Sequence, residues 1–229
     1  LRPGLDGDLS GCVQLLPRED GGEALRRVLA GAEDLASVVG GDEVRDLIGA
    51  PLHGSAALWL PGSGWLNPPA VCRALVHEAG VRCELNCGPL QLAPTASGWC
   101  VRGRHGVLAS ADVAIIATGT TTPSELDLGW LPLRPVRGQT TTLASGGALR
   151  ALRASLCHEG YLAPARAGRH CIGATFRPGD DGLERRAIDD QHNIEALQRI
   201  LPREDRPAAI MGARVALRAA TPDRLPVVG

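Results

Sequence analysis

The chain has 229 residues, 44% of them apolar and 21% charged, which is the composition of an ordinary globular protein with one large or two small domains. Its formal net charge is −1 and all of its basic residues are arginines, so no strong overall field favours nucleic acid or a membrane surface. No apolar run approaches the roughly 20 residues of a membrane span. The chain starts at Leu1 rather than at a methionine, and we expect a cytoplasmic protein with no signal peptide and a truncated amino terminus.

The cysteines and histidines show no spacing typical of a metal site. There is no CxxC pair among the seven cysteines, and the six histidines form no HxxxH or HExxH pattern. We therefore expect buried free thiols in a reducing compartment and no metal. The cysteines are Cys12, Cys72, Cys83, Cys87, Cys100, Cys157 and Cys171.

The first third of the chain predicts helices and strands in alternation. Leu9–Leu16 has the character of a short strand, and Glu23–Val39 carries apolar residues at helical spacing. A strand is predicted over Ala56–Leu60, inside a loop rich in glycine and proline. Asn67 is a suitable N-cap for a helix whose first residue is Pro68, and Gly80 is suited to end that helix.

The middle of the chain predicts strands that end in small residues. A strand over Val81–Leu85 is followed by three short strands, and Asp112–Ala117 is a nearly continuous apolar run typical of a buried parallel strand. That run leads directly into Thr118–Gly119, where a flat or phosphate-bearing ligand can approach the backbone. A plain strand-to-loop turn explains the same residues. The three short strands are predicted over Leu90–Ala93, Trp99–Arg102 and Val107–Ser110.

The second half predicts mainly antiparallel strands and one helix, over Ile188–Leu201. The strands are predicted over Val136–Leu143, Ser155–His158, Tyr161–Pro164, His170–Thr175 and Ile210–Arg218.

Two side chains in this half are candidates for ligand binding. Arg218 ends an apolar strand, where its guanidinium would pair with an internal carboxylate or hold a substrate carboxylate bidentately. Tyr161 is the only tyrosine, and it is either a packed aromatic or part of a polar pocket.

Five stretches occur together and in order, and that order resembles the D-amino-acid-oxidase-like (DAO) family of FAD-dependent oxidoreductases. The stretches are GWLNPPAVCRAL, ADVAIIATG, LPLRPVRGQ, GYLAPARAGRHCIGAT and LRAATPDRLPVVG. The resemblance implies a mixed α/β and α+β fold, in which a partial Rossmann-like FAD-binding domain is interleaved with an antiparallel-sheet substrate domain. It divides the chain into substrate-domain segments 1–64 and 129–217 and FAD-domain segments 65–128 and 218–229.

Four further stretches are similar to the oxidoreductase half of bifunctional tRNA-modifying enzymes within that family. They are LSGCVQLLP, LCHEGYLAPA, HCIGATFRPGDD and DDQHNIEAL. The similarity implies FAD-dependent removal of the carboxymethyl group from 5-carboxymethylaminomethyl-2-thiouridine at the tRNA wobble position. The arm is oxidised to an imine, and water then releases glyoxylate and the 5-aminomethyl base. A fused methyltransferase domain is expected upstream, and tRNA is the expected partner.

The resemblance also assigns residues to roles. Arg218 matches the family's arginine for the substrate carboxylate, and Tyr161 is expected in the substrate pocket. Ala117, Thr118 and Gly119 are expected near the FAD, with Leu90 near its adenine end. No side chain is expected to act as a catalytic base. The family's glycine-rich GxGxxG motif is not found among these residues, so the chain alone is expected to hold FAD weakly and to be inactive.

The sequence leaves three hypotheses for the function open. The first is the tRNA-modifying activity. The second is a free-standing amine oxidase acting on glycine or sarcosine, and the third is a truncated substrate-domain scaffold without flavin. A group of arginines suggests phosphate contacts, although Asp180, Asp181 and Glu184 suggest instead a balanced, solvated surface. These arginines are Arg166, Arg169, Arg177, Arg185 and Arg186.

Overall fold

A computed structural model describes residues 6–16, 21–52, 56–121, 128–202 and 209–227. Close contacts divide the chain into two units. Unit 1 consists of Leu1–Leu75, Gly138–Phe176 and Leu183–Ala216, and unit 2 consists of Val76–Arg137, Arg177–Gly182 and Leu217–Gly229. Each unit is thus assembled from segments that are distant in sequence. The roles of substrate domain and FAD domain remain predictions.

The strands form three sheets within the described ranges. In chain order they are β1 (Gly7–Asp8), β2 (Cys12–Leu15), β3 (Ser37–Gly40), β4 (Ala56–Leu60), β5 (Trp65–Leu66), β6 (Gln91–Thr95), β7 (Gly98–Gly103), β8 (Gly106–Ala111), β9 (Arg134–Ala144), β10 (Ser155–Cys157), β11 (Tyr161–Leu162), β12 (Arg169–Gly173), β13 (Arg177–Pro178) and β14 (Ile210–Ala220). The largest sheet has the order β13-β9-β12-β11-β10-β2-β4-β3, and β14 also pairs with β9. The pairings along this strand order are antiparallel except for the parallel pair β2–β10.

Helices flank these strands. They are α1 (Gly21–Val28), α2 (Gly41–Ile48), α3 (Pro68–Glu78), a short 3₁₀ helix (Gly147–Ala151) and α4 (Ala187–Gln198). Helix α2 buries Val44 and Ile48, four residues apart on one face, and it ends at Gly49, whose φ of 76° suits glycine. Helix α4 carries Asp189 and Asp190 in its first turn, where carboxylates complement the positive end of the helix dipole.

Alternation along the strands gives the large sheet two different faces. On β9, Thr141 and Leu143 are fully buried whereas Thr140 and Thr142 are only half-buried. The same alternation holds across the pairing, because buried Ile172 lies opposite Thr141 and half-buried Cys171 lies opposite Thr142. One face therefore belongs to the core, and the other is open.

The core of unit 1 lies on the buried face of the sheet. It draws on β2, β3, β4, β9, β10, β11, β12, α2, the 3₁₀ helix and α4, and it contains Val13, Val39, Val44, Ile48, Ala50, Ala57, Leu143, Leu149, Leu152, Ala154, Leu156, Leu162, Ile172, Leu197 and Leu201. Burial of this many aliphatic side chains is the main stabilising contribution to unit 1.

Unit 2 is built around a small antiparallel sheet of order β6-β7-β8. Within its described residues, Cys100 and Val136 are the buried apolar side chains. Large apolar side chains such as Leu85, Val113 and Ile115 are instead exposed, by 77%, 73% and 89%. Unit 2 thus buries far less apolar surface than unit 1.

Two predictions in the first unit need correction. The helix predicted over Glu23–Val39 ends at Val28, because the backbone at Gly31 has a φ of 85°, which breaks helical geometry. Residues Ser37–Gly40 form strand β3 instead, and α2 follows in a segment where no helix was predicted.

Two predicted strands in unit 2 do not form. Val81–Leu85 and Asp112–Ala117 have no regular secondary structure, and no described strand pairs with them. A parallel strand forms only where another strand lies beside it and shares its backbone hydrogen bonds. The apolar sequence of a segment does not provide that neighbouring strand. The prediction that Asp112–Ala117 is buried is therefore wrong for this structure.

Candidate functional site

The open face of the large sheet forms the floor of a cavity of about 520 Å³ in unit 1. Tyr161 and Cys157 lie opposite each other on β11 and β10, and Gly173 of β12 lies opposite Tyr161 on the other side. Gly173 has a φ of 137°, and a Cβ there would lie 3.1 Å from the carbonyl oxygen of Gln139. Glycine at this position therefore lets β12 lie close to β9 beneath the cavity.

The wall of this cavity is cationic and partly aromatic. Three arginines line it, Arg166, Arg169 and Arg214, together with Trp65 and Tyr161, and no Asp or Glu is among the described residues that line it. A volume of this size and a mixture of apolar surface with a few fixed polar groups are typical of small-ligand sites. The charge favours an anionic ligand.

An ion pair fixes one of these arginines. The Arg166 Nε donates to Asp6 Oδ1 at 2.8 Å, and Asn67 Nδ2 donates to Asp6 Oδ2 at 2.7 Å. These bonds, led by that from Arg166, lower the pKa of Asp6 below its ordinary value. Asn67 directly precedes α3, as predicted for its N-cap, and its carbonyl oxygen accepts from Val71 N at 3.0 Å.

Two thiols also meet at the cavity. The Sγ atoms of Cys12 and Cys157 are 3.7 Å apart, on the neighbouring parallel strands β2 and β10. A hydrogen bond from the Cys12 thiol lowers the pKa of Cys157 to about 7, and the same bond, with burial, raises the pKa of Cys12. All seven cysteines are free, but the expectation that they are buried holds only for Cys12 and Cys100.

A second candidate site is an apolar groove of about 220 Å³ in unit 2. Leu90 and Thr118 line it, together with Trp99, Val113 and Ile115. The groove thus brings together residues from both ends of the β6-β7-β8 sheet and from the extended segment that follows it.

The groove fits a flat, largely apolar group. Ala117, Thr118 and Gly119 are exposed, and Gly119 has a φ of 66° with open space where a side chain would stand. Small residues next to exposed aliphatic ones accommodate the rings of a cofactor such as FAD, but the described lining of the groove includes no arginine to receive a pyrophosphate. The described residues therefore fit the ring portion of FAD and not its phosphates.

The predicted site residues fall into three places. Leu90 and Thr118 line the groove, with Ala117 and Gly119 adjacent in sequence. Tyr161 lines the cavity of unit 1, is 37% exposed, and has its hydroxyl 3.8 Å from Cys171 Sγ. Arg218 is an exposed residue of β14 in the part of the chain assigned to unit 2. The roles of all six residues remain predictions.

Sequence reasoning did not identify Arg214 or the Cys12–Cys157 pair. Arg214 lies four residues before Arg218 on β14, a spacing that places both on one face of a strand and that was visible in the sequence. The two cysteines are 145 residues apart, and only the sheet pairing brings them together.

No three His, Cys, Asp or Glu side chains are grouped for metal binding in the portion of the chain that is described. Over the same portion, no helix is both long and apolar enough to cross a bilayer.

Curated relatives match the entire chain. It is 34% identical over 239 aligned residues to the tRNA 5-methylaminomethyl-2-thiouridine biosynthesis bifunctional protein MnmC of Pseudomonas paraeruginosa, covering 100% of this chain and 36% of that protein. It is 36% identical over 241 aligned residues to the MnmC protein of Ectopseudomonas mendocina, with the same coverage. The chain thus spans about a third of the length of these relatives.

The fold is also that of solved oxidoreductases. Glycine oxidase from Geobacillus kaustophilus superposes with a TM-score of 0.80 at 20% sequence identity, covering 100% of this chain and 64% of that one. This likeness confirms the predicted DAO-like mixed α/β fold.

The family model for the DAO group, described as FAD dependent oxidoreductase, matches residues 2–229. The sequence resemblance is thereby confirmed over nearly its whole length, and the chain belongs to the DAO family of FAD-dependent oxidoreductases.

Proposed function

We propose that the protein carrying this chain removes the carboxymethyl group from 5-carboxymethylaminomethyl-2-thiouridine at the tRNA wobble position, leaving the 5-aminomethyl base. The observation that carries the proposal is the 34–36% identity, over the whole chain, to proteins named for biosynthesis of tRNA 5-methylaminomethyl-2-thiouridine. The positive charge of the cavity in unit 1 would attract a substrate that is part of a polyanion, which supports the proposal.

Bound FAD would supply the two-electron oxidation of the arm's methylene, with water completing release of glyoxylate. Leu90, Ala117, Thr118 and Gly119 would hold its flat rings in the groove of unit 2. Their contribution is steric, because small and aliphatic side chains let a planar group approach the backbone.

Arg218 would hold the carboxylate of the substrate's arm. Its exposed guanidinium can bind a carboxylate through two parallel hydrogen bonds, which orients the arm as well as attracting it. Tyr161 would contribute a hydroxyl or an aromatic wall to the pocket. The secondary amine must be neutral to be oxidised, so we expect activity to fall as the pH drops.

Arg218→Ala tests the carboxylate assignment. In the product of the complete reading frame, we expect kcat/KM to fall about 100-fold, since loss of one partner of a charged hydrogen-bonded pair costs about 3 kcal/mol. Arg218→Lys should recover part of the loss, because it retains the charge but not the paired donors. Arg104→Ala, at an exposed turn, is the control. An unchanged rate for Arg218→Ala would refute the assignment.

A free-standing amine oxidase acting on glycine or sarcosine is the second candidate, and the similarity to the fold of glycine oxidase favours it. The two candidates differ in their substrates. Oxidation of free glycine or sarcosine at a rate above that of the modified tRNA would favour the second.

The proposal extends to the protein's surroundings. We place it in the cytoplasm with its tRNA substrate, joined to a methyltransferase domain encoded upstream. The naming of these relatives as bifunctional proteins supports the second domain. Sequencing the reading frame upstream of these residues tests it directly.

A further inference from the structure

The structure separates the five arginines that the sequence grouped together by whether each is paired with a carboxylate. Arg166 is paired with Asp6, Arg185 Nε donates to Asp190 Oδ2 at 2.8 Å, and Arg186 Nε donates to Glu184 Oε1 at 2.6 Å. Arg177 belongs to unit 2. Of the five arginines, Arg169 is left in unit 1 without a carboxylate partner among the described residues.

Arg214 likewise has no carboxylate partner among the described residues. Within the described ranges, neither Arg169 nor Arg214 has an ion pair or a side-chain hydrogen bond through its guanidinium, and both line the 520 Å³ cavity. Because Arg166 is neutralised by Asp6, these two residues give the cavity a net charge of about +2. Both arginines are exposed, so water stabilises them when no ligand is present, and their positive charge at one cavity favours an anionic ligand.

The two arginines lie on strands that neighbour β9, at different positions along its length. Arg169 of β12 lies opposite Ala144 of β9, whereas Thr140 Oγ1 of β9 donates to the backbone oxygen of Arg214 at 3.4 Å. Four residues of β9 separate these levels, which is about 14 Å along the strand. Such a separation suits two anionic groups on one ligand better than a single small anion.

Aromatic side chains complete the cavity. Trp65 and Tyr161 line it together with the arginines. Cationic side chains for the backbone and aromatic faces for the bases are the combination by which proteins bind single-stranded RNA.

We propose that this cavity binds a single-stranded RNA segment, with Arg169 and Arg214 contacting two phosphodiesters of the strand and a base between them stacking on Trp65 or Tyr161. The inference rests on the proposed function for the identity of that RNA as a tRNA loop. The same arginines could otherwise serve the carboxylate of the substrate's arm, and the two sources of negative charge are separable by experiment.

Binding of an unmodified RNA tests the phosphodiester contacts without any oxidation. The probe is a fluorescently labelled single strand of about ten nucleotides, titrated with the protein at about 50 to 200 mM salt. Arg169→Ala and Arg214→Ala should each weaken binding about tenfold and reduce the slope of log K against log salt by about 0.7. Arg214→Lys should keep the slope. Arg150→Ala, exposed on the 3₁₀ helix of unit 1 and outside the cavity, should change neither.

Unchanged slopes in both alanine variants, or no binding of the RNA, would overturn the proposal. Turnover of the free nucleoside 5-carboxymethylaminomethyl-2-thiouridine separates the carboxylate alternative. The phosphodiester assignment predicts that both variants lose kcat/KM toward a stem-loop RNA but retain it toward the nucleoside. Equal losses toward both substrates would assign the arginines to the carboxylate and refute the proposal. Because RNA binding needs no flavin, its outcome does not depend on whether the proposed oxidation is correct.

Discussion

At the scale of single residues, the thiol pair Cys12–Cys157 makes a prediction that needs no ligand. The Cys12 thiol stabilises the Cys157 thiolate, so alkylation of Cys157 by iodoacetamide should reach half its maximal rate near pH 7, against about 8.5 for an ordinary cysteine. Cys12→Ala should move that midpoint upward, and Cys12→Ser, which retains a donor, should not move it as far. Peptide mass spectrometry of the alkylated protein measures it. A midpoint above pH 8.5 in the unaltered protein would contradict the assignment.

Residue roles were predictable only where they depend on local sequence. Tyr161 and Thr118 were identified from their motifs and line cavities, although their roles remain untested. The sorting of the arginines was not predictable, because Asp6 is 160 residues from its partner Arg166. An arginine's charge is visible in the sequence, whereas its neutralisation is a property of the fold.

At the scale of elements, a buried polar layer joins β9 to α4. Asp190 Oδ1 accepts from Thr141 Oγ1 at 2.7 Å and from Gln139 Nε2 at 3.0 Å, while Asn193 Nδ2 donates to the Gln139 carbonyl oxygen at 2.9 Å. These side chains are at most 4% exposed. The layer therefore fixes how the helix sits on the sheet, because buried donors must keep their acceptors.

Asp190→Ala removes the acceptor at the centre of this layer. We expect a loss of about 2–3 kcal/mol in the free energy of unfolding, because two buried donors lose their partner and Arg185 loses its counter-ion. Urea unfolding followed by circular dichroism measures the change. Gln191→Ala on the same helix removes only an exposed hydrogen bond to Glu195 and should cost less than about 0.5 kcal/mol. Equal effects of the two changes would show that the layer contributes little.

Elements with their own periodicity were predicted well, and those that depend on neighbours were not. The strands β9, β12 and β14 and the helices α3 and α4 agree with the sequence within a few residues. The predicted strand over Asp112–Ala117 does not form, because apolar content favours a buried strand without providing its partner. No element was predicted over the residues that form helix α2.

At the scale of the whole molecule, the two units should differ in stability. Unit 1 contains a continuous apolar core, whereas the described part of unit 2 exposes most of its large apolar side chains. In hydrogen exchange of the 229-residue chain, amides of β9 and β12 should be protected, and those of residues 81–90 and 112–119 should exchange almost freely. Comparable protection of both regions would contradict this difference.

The central claim concerns the chemistry of the protein on tRNA, and one measurement addresses it directly. The product of the complete reading frame is incubated with FAD and tRNA that carries 5-carboxymethylaminomethyl-2-thiouridine, and the nucleosides and small products are then analysed by mass spectrometry. We predict conversion to 5-aminomethyl-2-thiouridine with one glyoxylate released per converted base. Unchanged tRNA, in a preparation that binds FAD and oxidises free glycine or sarcosine, would contradict the claim.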